Sequence, residues 1–308
     1  MNFDEKTFIA TSEDDGIRID KYLSKELPEL SRSFISGLFD KDSFYLNGKI
    51  SKKSALIHTG DEIKAFVPQS VDPEILAEDI PLDILYEDKD ILVVNKPKDM
   101  VVHPAAGHIS GTLVNAVMFH CRDDLSGING VLRPGIVHRI DKNTTGSIIV
   151  CKNDFAHNSI ADQLKKHTIN KIYLALVCGI IEEDDGVVNK PIGRSTIDRK
   201  KMSINYSHGK EAITHYHVLK RFYKDRITFV SCKLETGRTH QIRVHMADIG
   251  HPLLGDDVYN SQKNTKLKLN GQCLHASVLG FIHPKSGEYI ETKAPLPEYF
   301  EHLLEILE

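Results

Sequence analysis

The sequence predicts an α+β protein: a larger domain built on a mixed, mainly antiparallel sheet with flanking helices, behind a small N-terminal α/β domain. Three observations predict it. The chain has 308 residues, a length that suits about two domains. A compact helix–helix–strand pattern ends at Pro68, ahead of an acidic, Pro-containing stretch. Beyond that stretch, apolar β-runs outnumber helical ones and do not alternate with them, which argues against a doubly wound parallel sheet.

Residues 1–12 read as a polar lead-in. Ile19, Tyr22, Leu23 and Leu27 then recur at helical spacing, and Pro28 stops that helix. Ser31 suits the N-cap of a second helix over residues 32–39, with Phe34, Ile35, Leu38 and Phe39 as its apolar positions. Phe44-Tyr45-Leu46 leads into Asn47-Gly48, a strong hairpin signal, and on to Lys49-Ile50. Thr59-Gly60-Asp61 turns the chain into a strand over residues 62–67. The first domain is therefore expected at 1–68, and the acidic residues 69–80, with Pro73 but no period, as a linker.

The second domain is expected at 81–308. Ile91-Leu92-Val93-Val94 is a buried-strand candidate, and residues 111–121 have helical spacing through Leu113, Ala116 and Val117. Residues 147–151 form an apolar strand, and Asp154 can cap a helix running to Lys166. Residues 172–177, 213–222 and 227–234 read as strands. Residues 239–248 read as a helix closed by Gly250, with Ile242, Met246 and Ile249 inward. Residues 274–282 and 289–293 complete the strand set. There is no internal repeat, low-complexity tract or Gly-rich phosphate loop.

Composition narrows the function. No apolar run approaches the roughly 18 residues of a membrane span, and the acidic opening MNFDEKTF is followed by no apolar core, so a cytoplasmic protein is expected. Five scattered cysteines, at 121, 151, 178, 232 and 273, offer neither a zinc site nor a disulfide framework. Net charge is −4, but residues 190–243 carry 13 Lys plus Arg against 4 Asp plus Glu. That local excess of +9 leaves −13 on the rest of the chain. The asymmetry suits docking of a phosphate backbone, and equally a solvated basic face.

Two clusters could do chemistry. In residues 135–146 an apolar approach delivers His138, Arg139 and Asp141 into a turn with Thr144, Thr145 and Gly146. A carboxylate on such a turn is rigidly aimed, although it could also be a plain cap or turn residue. In residues 237–245, His240 and Arg243 share one helix face while Ile242 and Met246 share another. His240 and His245 are five apart, a poor spacing for metal ligation, so no metal is expected.

These blocks carry a resemblance. HRIDKNTTG (138–146) resembles the HRLDxxTSG signature of the RluA/RluD-type RNA pseudouridine synthases. GRTHQIRVH (237–245), HPLLGD (251–256), ILVVNKPKDMVVHPAAG (91–107) and KIYLALV (171–177) resemble that family's other blocks, in order from Pro81 onward. Departures are small: Ile140 for Leu and Thr145 for Ser. The front domain resembles the alpha-L RNA-binding domain of ribosomal protein S-four type, through Arg18, Asp20, Leu23, Ser31, Arg32, the run Tyr45 to Lys49, and Gly60-Asp61.

The resemblance implies an isomerase that breaks a uridine C–N glycosidic bond and re-forms a C–C bond to the same base. The reaction has no redox step or energy input, so no cofactor is implied. Asp141 would be nucleophile, or base in a glycal route. Arg243 would pair with Asp141, holding it ionised and oriented. Tyr173 would stack on the base and could assist removal of its C5 proton. The nucleotide must leave its stack, and Arg139 would fill the vacated space or hold a phosphate. Arg238 and His240 would also contact substrate, while His138 would be a structural hydrogen-bonding residue. In the alpha-L domain Arg32, Ser33, Lys49, Lys52 and Lys53 would face RNA. The basic stretch Arg194, Arg199, Lys200 and Lys201 would suit phosphates. The partner implied is large-subunit ribosomal RNA, with transfer RNA as the alternative, and the protein is expected to be a monomer. Rival readings are a non-catalytic ribosome-assembly factor, and a nucleoside or glycoside hydrolase, which would want a second carboxylate near Asp141.

Overall fold

A computed structural model of the chain describes residues 3–28, 30, 32–68, 75–104, 108–122, 124–128, 134–198, 201–260, 267 and 269–308. The chain divides into two compact units, 1–72 and 73–308.

The first unit comprises β1 (Phe3–Ile9), α1 (Ile19–Glu26), α2 (Arg32–Phe39), β2 (Phe44–Leu46), β3 (Lys49–Ile50) and β4 (Glu62–Pro68). Its antiparallel sheet has the order β1-β4-β2-β3. Ile19, Leu23, Leu27, Ile35, Phe44, Ile57 and Ile63 form its core. Asn47 and Gly48 turn the β2–β3 hairpin at φ 49° and 75°, the left-handed pair that an Asn-Gly turn supplies. Residues 3–9 correct the expected polar lead-in. They form a strand paired along its length with β4, from Phe3 opposite Pro68 to Ile9 opposite Glu62. Their side chains are largely exposed, so the backbone ladder holds this edge and apolar periodicity does not announce it. The proposed N-cap Ser31 lies outside the described residues.

The second unit continues with β5 (Ile84–Glu87), β6 (Ile91–Lys96), α3 (Leu113–Cys121), β7 (Thr145–Cys151), α4 (Asp154–Lys165), β8 (Asn170–Cys178), β9 (Asp185–Asn189), β10 (Ile192–Arg194), β11 (Met202–Ile204), β12 (Ile213–Phe222), β13 (Ile227–Leu234), α5 (Gln241–Asp248), β14 (Leu274–Ile282), β15 (Tyr289–Lys293) and α6 (Glu298–Ile306). Eight strands run in the order β5-β6-β7-β14-β8-β13-β12-β9, with β15 added to β14. The pairs are antiparallel except β7 with β14, so this is the mixed, mainly antiparallel sheet that the strand pattern predicts. β10 and β11 pair as a separate hairpin.

The parallel contact lies at the centre, where every residue of β7 is buried. His275 pairs with Thr145 and Ala276 with Gly146. Gly146 has φ +105°, and a Cβ there would fall 2.3 Å from the Ala276 carbonyl oxygen. Glycine is required for the two strands to meet.

Two local expectations are adjusted. The cap of α4 is Asn153, whose side chain accepts from the Ala156 N–H, so Asp154 is the first residue of the helix. Residues 75–80, read from the sequence as linker, dock on the larger unit. Ile75 is buried in the core with Leu92, Val94 and Leu113, the Asn115 side chain donates to the Leu76 carbonyl, and Glu78 accepts from the Gly111 N–H. The five cysteines are free thiols, all buried except the half-buried Cys178. Among the described residues no helix is long and apolar enough to cross a membrane.

Candidate active site

The turn carrying Asp141 links two anchored segments. Before it, Ile136 bridges to Val150 of β7. Within it, the Thr144 N–H donates to the Asp141 carbonyl at 3.0 Å. After it, β7 enters the sheet. Three further side chains fix the turn. Gln272 Nε2 donates to Thr144 Oγ1 at 3.0 Å. Thr145 Oγ1 donates to His275 Nδ1 at 2.9 Å, because His275 Nε2 gives its proton to the Ala294 carbonyl. Lys96 is fully buried, and its ammonium donates to the carbonyls of Pro97, Met100 and Lys142 at 2.7, 2.8 and 3.0 Å. Burial pushes its pKa down to about 7, against the opposing charge of Asp141. The end of β6, the following loop and the Asp141 turn thus hang from one side chain.

Asp141 projects into a cleft of about 370 Å³. Arg139, Tyr173, Arg238, His240 and Arg243 line the same cleft, which brings six of the sequence-predicted residues together. Arg243 Nη1 donates to Asp141 Oδ2 at 3.0 Å, and His240 Nε2 lies 3.7 Å from Asp141 Oδ1. Arg243 is itself buried, and its Nε and Nη2 form a fork with Asp256 at 2.7 and 2.9 Å. Burial alone would lower the pKa of Arg243, but Asp256 first and then Asp141 raise it. Burial likewise opposes the charge on Asp256. Arg243 and the N–H groups of Val258 and Tyr259 overcome that and hold it below the usual carboxylate range. His240 Nδ1 meets the Tyr259 hydroxyl at 2.8 Å, and burial lowers its pKa.

Tyr173 stands on β8 between two hydrophobic clusters. Burial, aided by the charge of Asp141, pushes its phenol well above the usual range. His138 Nε2 accepts the Ile149 N–H at 2.9 Å, so the ring is neutral. Burial and then Lys171 push its pKa down to about 3. His245 is also structural, bonded to Thr214 Oγ1 and the Lys190 carbonyl. Arg238 Nε donates to the Glu211 carbonyl at 2.8 Å, and Arg139 is exposed at the cleft.

The remaining expectations fall elsewhere. Arg32, Lys49, Lys52 and Lys53 are exposed on the first unit. Nothing is described of the Ser33 side chain. Of the basic stretch, Arg194 is exposed on β10 and Lys201 donates to the Val258 carbonyl, while Arg199 and Lys200 lie outside the described residues. Sequence reasoning missed the roles of Asp256, Tyr259, Lys96 and Lys171. Asp256 closes the HPLLGD block and Lys171 opens the KIYLALV block, so position in a motif was the available signal.

Asp88, Asp90 and His283 offer ligand atoms within 4.8 Å of one another. Their bonding argues against a cation. His283 Nδ1 accepts the N–H groups of Lys285 and Ser286, so its proton sits on Nε2, 2.7 Å from Asp88 Oδ2. A metal would need that nitrogen bare.

Residues 90–248 match the family model described as RNA pseudouridylate synthase. An uncharacterised RNA pseudouridine synthase of Bacillus subtilis, YlyB, is 51% identical over 298 residues, spanning 97% of this chain and 96% of its own. The ribosomal large subunit pseudouridine synthase D of Zymomonas mobilis is 42% identical over 306 residues, 96% of each chain. Among solved structures, human RNA pseudouridylate synthase domain containing 1 aligns with a TM-score of 0.58 at 30% identity, covering 72% of this chain and 86% of that one. The chain belongs to the RNA pseudouridine synthase family. It is an isomerase that converts uridine in RNA to pseudouridine.

Proposed function

We propose that the cleft receives a uridine turned out of large-subunit ribosomal RNA, and that Asp141 carries the isomerisation. One observation supports this above the others: among the described residues Asp141 is the single carboxylate lining the cleft, and a buried arginine aims it. Asp141 attacks the ribose, or removes a ribose proton on the glycal route, as the C–N bond breaks. The freed uracil turns, and its C5 bonds to the ribose as the Asp141–ribose bond breaks or, on the glycal route, as Asp141 returns the ribose proton. The C5 proton is then lost and N1 takes one up. Tyr173 packs against the base. The upward shift of its phenol favours a stacking surface over a resident base. The carboxylate pair of a hydrolase has no support, since Asp256 is turned into Arg243 and is absent from the cleft wall.

The first unit acts as an alpha-L RNA-binding domain through Arg32, Ser33, Lys49, Lys52 and Lys53, and the protein works as a cytoplasmic monomer. Ribosomal RNA is preferred over transfer RNA because relatives spanning nearly the whole chain are named as ribosomal large subunit synthases. Pseudouridine mapping of total RNA from cells with and without the gene tests the substrate. Loss of sites in large-subunit RNA is expected. Loss confined to transfer RNA would redirect the assignment, and an unchanged map would overturn it.

A further inference from the structure

Two lysines of the larger unit are almost entirely withdrawn from water, and they are treated differently. Lys96 is saturated by its three carbonyls, which is a structural arrangement. Lys171 is 7% exposed, lines the cleft, and has as its bond the Thr236 carbonyl at 3.5 Å, at the limit of hydrogen-bond distance. Among the described residues no carboxylate forms an ion pair with it. Its charged neighbour is Arg238, which repels it. Gly237 lies alongside, where even a Cβ would stand 3.5 Å from the ammonium. Burial, then Arg238, lower its pKa to about 8. A protein gains nothing for its own stability from a buried cation with neither counter-charge nor full hydrogen bonding. Such a group is poised for an anion brought from outside.

We infer that Lys171, with Arg238 beside it, forms a phosphate subsite inside the cleft that grips the RNA backbone next to the everted uridine. The inference rests on the reading that this cleft receives the uridine. β8 carries Lys171 and Tyr173 two residues apart, and both line the cleft from the same face of the strand. A base against Tyr173 therefore has its sugar–phosphate chain within reach of the ammonium. Arg238 stands on the segment leading into α5, across from Lys171, so the two cations approach one anion from different elements. The Lys171 ammonium then exchanges a weak carbonyl contact for a charge-assisted bond, which forms only when substrate is seated.

Lys171→Met in the full chain tests the proposal, since Met keeps the length of the side chain and removes the charge. Two readouts are needed. Thermal unfolding of the free protein should be unchanged or raised, while kcat/KM on a short RNA carrying a mapped target uridine should fall about tenfold or more. The second readout replaces the phosphate on the 5′ or the 3′ side of that uridine by a neutral methylphosphonate. At one of the two linkages the wild-type protein should lose about tenfold, and Lys171→Met should lose little further. Penalties that simply multiply at both linkages would overturn the proposal, whatever the variant's stability. So would normal turnover by a destabilised variant, which would make Lys171 structural. Should Asp141→Asn remain active, the reading of the cleft itself fails, and that result is distinguishable from either outcome at Lys171.

Discussion

Arg243 gives Asp141 a single nitrogen. Nη1 reaches Asp141 Oδ2 at 3.0 Å, while Nε and Nη2 are both held by Asp256. The fork fixes the guanidinium plane, so the position of Asp141 is set at one remove by a carboxylate that does not face the cleft. Asp256→Ala should lower stability in denaturant unfolding, because the buried Arg243 loses its two-bond partner and keeps the one bond to Asp141. Arg243→Met should cut single-turnover rates sharply and leave RNA affinity much closer to normal. A variant with ordinary rates would remove Arg243 from its role, and Arg238 would be the next candidate.

Asp141→Asn should abolish isomerisation while the fold and RNA binding persist. The amide is nearly isosteric and can still accept from Arg243, but it is neither nucleophile nor base. Single-turnover assays decide it. Activity within about tenfold of wild type, roughly 1.4 kcal/mol in the barrier, would reject the assignment.

The pKa of His138, lowered from 6.5 to about 3, makes the fold sensitive to acid. Below pH 6.5 the unfolded chain takes up a proton at this ring that the folded protein refuses until about pH 3. Stability contributed by the neutral ring is therefore complete above pH 6.5 and is lost progressively as pH falls toward 3. His138→Gln can still accept the Ile149 N–H through its amide oxygen without titrating. Measured across that window, the gap in unfolding temperature between wild type and variant should shift in the variant's favour on acidification. A constant gap would mean that His138 is not the titrating group.

Removal of residues 1–72 should leave a folded isomerase that binds RNA more weakly, because the described cleft-lining residues all belong to the second unit. Two linked binding modules act through effective concentration, so the loss should appear in affinity and its salt dependence. Saturating turnover should stay close to normal. Equal affinity and equal salt slope for the two proteins would show that the first unit does not bind this RNA.

Several elements that bury a periodic apolar face were legible in the sequence, although α6, which buries Phe300 and Leu303, was not read from its spacing. Residues 213–222 and 227–234 were assigned as strands to the residue, and the helix at 113–121 followed from its spacing. β1 was not legible, because its pairing with β4 uses backbone groups that carry no side-chain signature. The short β10 and β11 strands give too few residues for any period to show. In the site, the Asp141 turn was visible as a run of unusual residues, and Arg243 followed from helical spacing and resemblance. Asp256 could not be read in the same way. Its function is its fork with an arginine 13 residues away, a relation made by the fold. Lys171 was hidden for a similar reason: in sequence it is a charge at a strand end, and only the fold shows that it is buried.

The central parallel contact joins Thr145 to His275 across 130 residues of chain. A ribosome adding about 5–20 residues per second exposes the Asp141 turn on the order of ten seconds before β14 exists to seat it. Arg243, Asp256 and Gln272 are also made within that interval. A growing chain therefore carries its key carboxylate with none of the groups that aim it, and the cleft closes late, around a strand inserted beside one made much earlier. With Leu274 of β14 in its wall, the cleft is completed only after that strand has been made.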